Sequence, residues 1–282
     1  MTAGSIAVVT DSTADLGALA ATNGIEVVPL TVRFGSEEFR DGVDLSETEF
    51  YRKLDASATT PITAQPAPSL FAQTYRKLLG AGVARIISIH ISGALSGTLN
   101  AASIAAREVD PARITVIDSR NATAGLGMLV LDAARRARAG EPAQTITAAL
   151  AADIPNVYLF AAIPTLTYLA RGGRIGHLSG LVGNVLQIVP ILTLSDGVIK
   201  EFAKVRTFKR AVDQIVTIVT TRLKGHAGVR MAVIHSMAPE LAESVSQRIQ
   251  AAVRPSSSYI CSVGPTVGTH AGPGAVGVFY IL

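Results

Sequence analysis

The chain has no tryptophan and a single cysteine, Cys261. One cysteine excludes an internal disulfide and any cysteine-rich metal site. Aromatic residues make up only 5% and charged residues only 16% of the 282 positions, against 49% hydrophobic. Ala, Val, Ile and Leu must therefore fill the interior, and a chain of this length has enough of them for a sizeable core. The formal net charge is only +4, and the basic residues are dispersed without interleaved aromatics. That pattern argues against a nucleic-acid reader. The start, Met1 to Ser5, has no basic n-region, and Asp11 interrupts the apolar run after it, so no secretory signal is read. The longest apolar stretch, Leu178 to Leu194, contains Asn184, Gln187 and Pro190 and is too short and polar to span a bilayer. The expectation is a soluble, cytoplasmic protein. A G-x-x-x-x-G-K-[ST] loop, an H-E-x-x-H helix and a clustered His or Cys ligand set are all missing. Their lack disfavours a P-loop NTPase and a zinc site, and no metal is expected. Gly272 to Gly277 fits G-x-G-x-x-G but leads into a terminal apolar run, not into a helix within a βαβ unit, so it is no dinucleotide fingerprint.

What is present alternates. Ile6 to Val9 reads as a buried strand, followed by a helix from Ala14 to Thr22 and a strand from Ile25 to Val32. Gly35 to Gly42 is turn-rich, and Ser46-Glu47-Thr48-Glu49 is a capping box. Thr59 to Pro66 reads as an extended loop held by two prolines, and Pro68 to Leu79 as a helix. Strands at Arg85 to Ile91 and Ile114 to Ile117 alternate with helices from Leu99 and Thr123. This order implies a parallel sheet covered on both faces. Near Pro155 the character changes. Ile188 to Leu194 and Val198 to Val205 form a hairpin around Asp196-Gly197, and three more strands alternate with two helices to the end. Gly264 to Gly274 reads as a glycine-rich loop. The chain divides at residue 156 into an N-terminal α/β domain, 1–156, and a C-terminal α/β domain, 157–282.

The stretch Ser92-Gly93-Ala94-Leu95-Ser96-Gly97-Thr98 joins an Ile-rich strand to a helix. Unpaired N–H groups at a helix start attract anions, two glycines allow close approach, and Ser92, Ser96 and Thr98 add hydroxyls. Helix capping by Ser96 or Thr98 is the simpler alternative. Thr10-Asp11-Ser12 and Asp118-Ser119 place further polar groups at strand ends, where open α/β sheets hold ligands. Capping also explains Asp11 and Asp118. His270, between glycines, has little bulk around it and is expected to face a cleft. Ser96, Asp118 and His270 follow the Ser, Asp, His order of α/β-hydrolases, yet Gly93 to Gly97 has one residue too many for a G-x-S-x-G elbow. Arg171-Gly172-Gly173-Arg174 is either a helix C-cap or an anion clamp. Lys204, Arg206, Lys209 and Arg210 gather just after the hairpin, at a helix start; a solvated helix start is the simpler reading, but their place against the dipole also suits an acidic or phosphorylated partner.

Taken together, six stretches resemble the DegV family, the fatty-acid-binding subunits of bacterial fatty acid kinase. They are Ala7 to Leu16, Thr63-Ala64-Gln65-Pro66, Leu95-Ser96-Gly97-Thr98, Val116-Ile117-Asp118-Ser119, Tyr168 to Ile175, and Gly264 to Ala275. The resemblance runs nearly end to end. It implies two α/β domains, parallel and mixed, with a long-chain fatty acid held between them and no cofactor. It implies that Thr63, Ser96 and His270 hold the carboxylate, with an arginine, Arg171 or Arg174. It further implies a non-enzymatic carrier without its own nucleotide site. A dihydroxyacetone-kinase-like partner, met around Arg206, would phosphorylate the bound acid for phospholipid metabolism. Ala64 and Gly93 stand where the family has serines. Burying a 16-carbon tail at ~0.8 kcal/mol per CH₂ supplies roughly 10 kcal/mol. The buried carboxylate needs donors in return. The alternative function is an acyl-ester hydrolase built on Ser96, Asp118 and His270.

Overall fold

The computed structural model describes residues 5–57, 59–181 and 188–282. Met1 to Gly4, Asn184 and Gln187, used above, lie outside them. The chain opens with β1 (Ile6–Asp11), α1 (Ala18–Thr22) and β2 (Ile25–Val28). A small hairpin of β3 (Thr31–Phe34) and β4 (Glu37–Arg40), then α2 (Glu47–Ala56) and β5 (Ile62–Ala64), follow. Next come α3 (Pro68–Gly80), β6 (Arg85–His90), α4 (Thr98–Val109), β7 (Ile114–Asp118), α5 (Thr123–Arg138) and α6 (Ala143–Asp153). The second half contains β8 (Val157–Ala162), α7 (Thr167–Arg171), β9 (Val189–Ser195), β10 (Val198–Val205) and α8 (Phe208–Leu223). It ends with β11 (Arg230–His235), α9 (Pro239–Ala252), β12 (Ser257–Ser262), α10 (Pro265–Ala271) and β13 (Val276–Ile281).

Three sheets result. β2-β1-β6-β7 is parallel throughout, as the alternation of strand and helix required. β10-β9-β8-β13-β11-β12 is mixed, with only β11 and β12 parallel. β4-β3-β5 is a small antiparallel sheet.

Four local expectations need correction. The run from Ile25 to Val32 is two strands in two different sheets. Pro29 stands at the break, where its missing N–H cannot serve a ladder. The first helix starts at Ala18, not Ala14, because Asp15 (φ 48°) and Gly17 (φ 50°) turn the chain through left-handed conformations. Part of the Thr59 to Pro66 loop is a strand, since β5 pairs with β3. The glycine-rich Gly264 to Gly274 stretch contains α10. Other signals hold. Ser46 and Glu49 form the capping box on α2. Asp196 (φ 56°) and Gly197 (φ 78°) are both left-handed, as a two-residue primed hairpin turn demands.

α5 joins the sheets. Every residue from Thr123 to Val130 is buried, the mark of a helix enclosed on all sides. It packs against β1 and β6 of the parallel sheet and against β8, β11 and β13 of the mixed one. Ile87, Ile89, Leu126, Leu129, Ala232 and Phe279 consequently belong to one core. A Cβ on Gly125 would meet the Phe279 ring at 2.6 Å, and one on Gly127 would meet the Ala14 carbonyl at 2.8 Å. Those two glycines exist for close packing of α5 on either neighbour.

Candidate functional site

A cavity of about 380 Å³ opens between the parallel and mixed sheets. Its walls are mostly aliphatic: Leu30, Ile91, Leu95, Leu159, Ile163, Leu192, Leu194, Ile199, Ile234 and Val263, with Phe279 the one phenyl ring among the lining residues. Thr63, Gln65, Ser96, Arg174 and His270 supply its polar side chains, together with Thr123 and Thr266. Five separate chain segments thus converge. β5 presents Thr63, the β6–α4 loop presents Ser96, the turn after α7 presents Arg174, and α10 presents His270. Thr123 begins α5.

The polar groups are linked. Thr63 Oγ1 and His270 Nε2 lie 3.1 Å apart, within hydrogen-bond distance. The other ring nitrogen, Nδ1 of His270, is buried without a partner. Burial, and then the charge of Arg174, push the His270 imidazole down to about 4, so it is neutral at pH 7. Arg174 donates through Nε to the Leu95 carbonyl (3.2 Å) and through Nη1 to the Gly172 carbonyl (2.8 Å). Among the described residues no carboxylate pairs with it. A guanidinium held by neutral carbonyls and facing an apolar cavity is suited to receive an anion from outside the protein.

The β6–α4 loop is built differently from the sequence expectation. Ser96 Oγ accepts the Thr98 N–H (3.3 Å) and lies 2.8 Å from the Thr98 hydroxyl, a local side-chain turn that leads into α4, whose N-cap is Gly97, while Ser96 lines the cavity. Thr98 is buried beside it and does not line the cavity. Nor do the glycines leave open backbone. The space a Cβ on Gly97 would take is filled by the Gln65 amide, and that at Gly93 by Leu99. Arg171 is exposed at the end of α7, away from the cavity. Gly173 (φ 69°) then reverses the chain and brings Arg174 inward. Of the two candidate arginines, Arg174 is the one at the cavity.

Ser96, Asp118 and His270 are not assembled as a triad. Asp118 Oδ1 accepts the N–H groups of Gly93 (3.3 Å) and Arg120 (2.8 Å), and His270 is paired with Thr63. Asp118 is thereby a loop-capping residue. Lys204 pairs with Glu201 at 3.4 Å, and Arg206 is exposed just beyond β10, where Thr207 caps α8. Gln65, Thr123 and Thr266 escaped the sequence reading. Gln65 stands inside the quoted Thr63 to Pro66 motif and Thr266 inside the quoted Gly264 to Ala275 stretch, so both carried a usable signal, whereas Thr123 carried none.

The depressed His270 makes stability pH-dependent. In the unfolded chain an imidazole protonates near pH 6.5, in the folded one near 4. Its share of stability is complete above pH 6.5 and is lost as pH falls toward 4, about 3 kcal/mol at most. Asp15 and Asp41, both raised chiefly by burial, act in the opposite sense. His270→Gln should therefore flatten the difference in melting temperature between pH 7 and pH 5 relative to wild type. Parallel curves for the two proteins would refute this placement of His270.

An aliphatic cavity with one neutral imidazole, one guanidinium that no carboxylate pairs among the described residues, and several hydroxyls is suited to an amphiphilic, anionic ligand. The comparisons with known proteins agree with that class. Residues 5–282 match the family model described as "Uncharacterised protein, DegV family". A DegV domain-containing protein of Caldanaerobacter subterraneus is 37% identical over 98% of both chains, and one of Streptomyces coelicolor is 37% identical over 97% of both. The chain belongs to the DegV family. Among solved structures, a DegV family protein from Thermus thermophilus, described by its fatty acid binding, superposes with a TM-score of 0.92 at 33% identity. It covers 98% of this chain and 99% of its own. DegV of Bacillus subtilis, described as a fatty acid binding protein, superposes at 0.91 with 30% identity and 99% coverage of both chains. Among the described residues no helix is long and apolar enough to cross a membrane, and no cluster of His, Cys, Asp or Glu could hold a metal.

Proposed function

We propose that this protein binds one long-chain fatty acid, with the tail among the aliphatic walls and the carboxylate at Thr63, Ser96, His270 and Arg174. The unpaired Arg174 guanidinium beside the neutral His270 in an aliphatic cavity carries the reading. The cavity volume lies in the ~300–1,000 Å³ range of ligand pockets, and the fatty acid binding of the Thermus and Bacillus relatives supports the ligand class. A bound carboxylate would accept from Arg174 and the hydroxyls, replacing lost hydration with charge-assisted hydrogen bonds. The two units of the proposal are residues 1–156 and 157–282, with the acid between them. Native mass spectrometry of the purified protein, followed by denaturing extraction, should show an excess mass equal to one fatty acid. A bare protein that also refuses added palmitate and oleate would overturn the assignment.

The protein is proposed to be a cytoplasmic carrier and not itself a catalyst. It would present the acid to a dihydroxyacetone-kinase-like partner that forms the acyl phosphate. Arg206 and Lys204 are its proposed contact, on an exposed basic surface outside the lipid cavity. Arg206→Ala should leave palmitate affinity within about twofold and lower phosphorylation of the bound acid by about tenfold or more, the loss of roughly one charge-assisted contact. Equal phosphorylation rates for the variant and wild type would remove Arg206 from the partner surface.

A further inference from the structure

A second cavity, of about 300 Å³, adjoins the first. Leu194 lines both. The second is not a continuation of the aliphatic tunnel, because two arginines enter it, Arg120 and Arg222. Both are exposed, and among the described residues neither pairs with a carboxylate. The Arg222 guanidinium lies over three rings at once: 4.9 Å from the centroid of Phe160, 5.6 Å from Phe202 and 5.9 Å from Tyr158. Its hydrogen bond to the Tyr280 hydroxyl is long, at 3.5 Å, so its donors are largely uncommitted. Asp196 also lines this cavity; Lys200 stands 3.2 Å from its carboxylate and holds its pKa down, with a smaller contribution from the charge of Arg120. Two guanidiniums with no carboxylate oxygen in ion-pair contact among the described residues therefore line the space.

The backbone here is unusual. Arg120 (φ 50°) and Thr123 (φ 48°) are both left-handed without being glycine, a strain of order 1–3 kcal/mol each. They bracket a four-residue segment whose first half, Arg120 and Asn121, lines the second cavity and whose second half, Ala122 and Thr123, lines the first. The β9–β10 turn is tied to the same region, since the Ser92 hydroxyl donates to the Gly197 carbonyl at 2.8 Å. Strained positions persist where their surroundings impose them, and here they aim Arg120 at a cavity.

We propose that this second cavity is a binding site for a small aromatic carboxylate. Arg120 and Arg222 would take the carboxylate, and the ligand ring would join the Phe160, Phe202 and Tyr158 rings around the Arg222 guanidinium. Phe202, 42% exposed at the rim, supplies the further apolar contact. The site is separate from the fatty acid site and stands whether or not that assignment holds.

The test is calorimetric titration of indoleacetate into the full-length protein, once saturated with oleate and once delipidated. Binding of one indoleacetate in both forms is expected. Arg120→Gly, which relaxes the backbone while removing the guanidinium, should weaken it about tenfold, and Arg222→Gln likewise. Melting temperature and oleate binding of both variants show whether they are folded. No binding of indoleacetate at millimolar concentration would overturn the proposal. So would affinity unchanged in both folded variants, or displacement of indoleacetate by oleate, which would put the probe in the first cavity. Failure of oleate to bind at all would instead refute the fatty acid reading and leave this one intact.

Discussion

Replacing Asp11 by alanine is expected to lower the unfolding free energy by about 3–5 kcal/mol, the cost of breaking a fully buried polar network. Asp11 lies at the end of β1 with no exposed surface. Its Oδ1 accepts the Thr13 N–H and hydroxyl, and its Oδ2 accepts the Ile91 N–H at 3.1 Å and lies 2.9 Å from His90 Nδ1. The chain continues inward: His90 Nε2 lies 2.7 Å from the Ser88 hydroxyl, which lies 2.8 Å from the Tyr75 hydroxyl. All four side chains are buried completely. Alanine at position 11 would leave several donors unpaired away from water, each at about 1–3 kcal/mol. For a chain of this size the melting temperature should fall by roughly 10 °C. Asp118→Ala is the comparison. It removes a half-exposed loop cap and should cost only ~1 kcal/mol. Urea unfolding of the two variants checks the contrast, and equal losses would show that the buried network adds nothing beyond capping. Because Ile91 also lines the lipid cavity, Asp11→Ala should weaken ligand binding as well.

Asp11 also shows how far the sequence was legible. Its place at a strand end and its capping of the following turn were readable, since both are local. Its grip on His90 and Ile91 was not, because those residues come 79 and 80 positions later. The parallel sheet was readable from the alternation of Ile-rich runs with helices. The division of Ile25 to Val32 between two sheets depends on what pairs with each half. α10 was hidden by its own glycines and prolines, which usually break structure. Pro265 in fact stands at its first turn and Gly272 (φ 72°) just past its end, each where a helix accepts it. Only Gly268 is interior, and a Cβ there would meet the Tyr51 hydroxyl at 2.6 Å and the Phe50 ring at 2.8 Å. A tertiary contact, invisible in the local pattern, sets that residue. Of the cavity residues, Ser96, Arg174 and His270 were singled out by their local pattern, whereas Thr63 was named only through the family resemblance. Composition alone could not separate a lipid-lined cavity from an ordinary aliphatic core.

Gly172→Ala should weaken fatty acid binding at least as much as His270→Ala does, by about tenfold to a hundredfold, without unfolding the protein. The two glycines of Arg171-Gly172-Gly173-Arg174 serve different ends. Gly173 (φ 69°) makes the reversal after α7, so an alanine there strains the backbone by roughly 1 kcal/mol. Gly172 has an ordinary φ of −79° and is needed for another reason. A Cβ on it would run into Nδ1 of His270, and into its Cε1 at 2.7 Å. The imidazole would have to swing away, breaking its contact with Thr63 and losing its place beside Arg174. One hydrogen bond to a charged ligand group, about 1.5–3 kcal/mol, gives the expected loss. The pH dependence separates displacement of the ring from general damage. A bound carboxylate stabilises the imidazolium and raises His270 above its ligand-free value of about 4. Binding then takes up protons, and wild-type affinity should rise as pH falls from 7 toward about 4. Gly172→Ala and His270→Gln should both lose that slope, while Gly173→Ala should keep it and show only a lower melting temperature. Oleate titrations across that pH range decide the matter. A Gly172→Ala protein with the wild-type slope would mean that the ring has room to yield, and that the close approach of Gly172 does not hold His270 in the site.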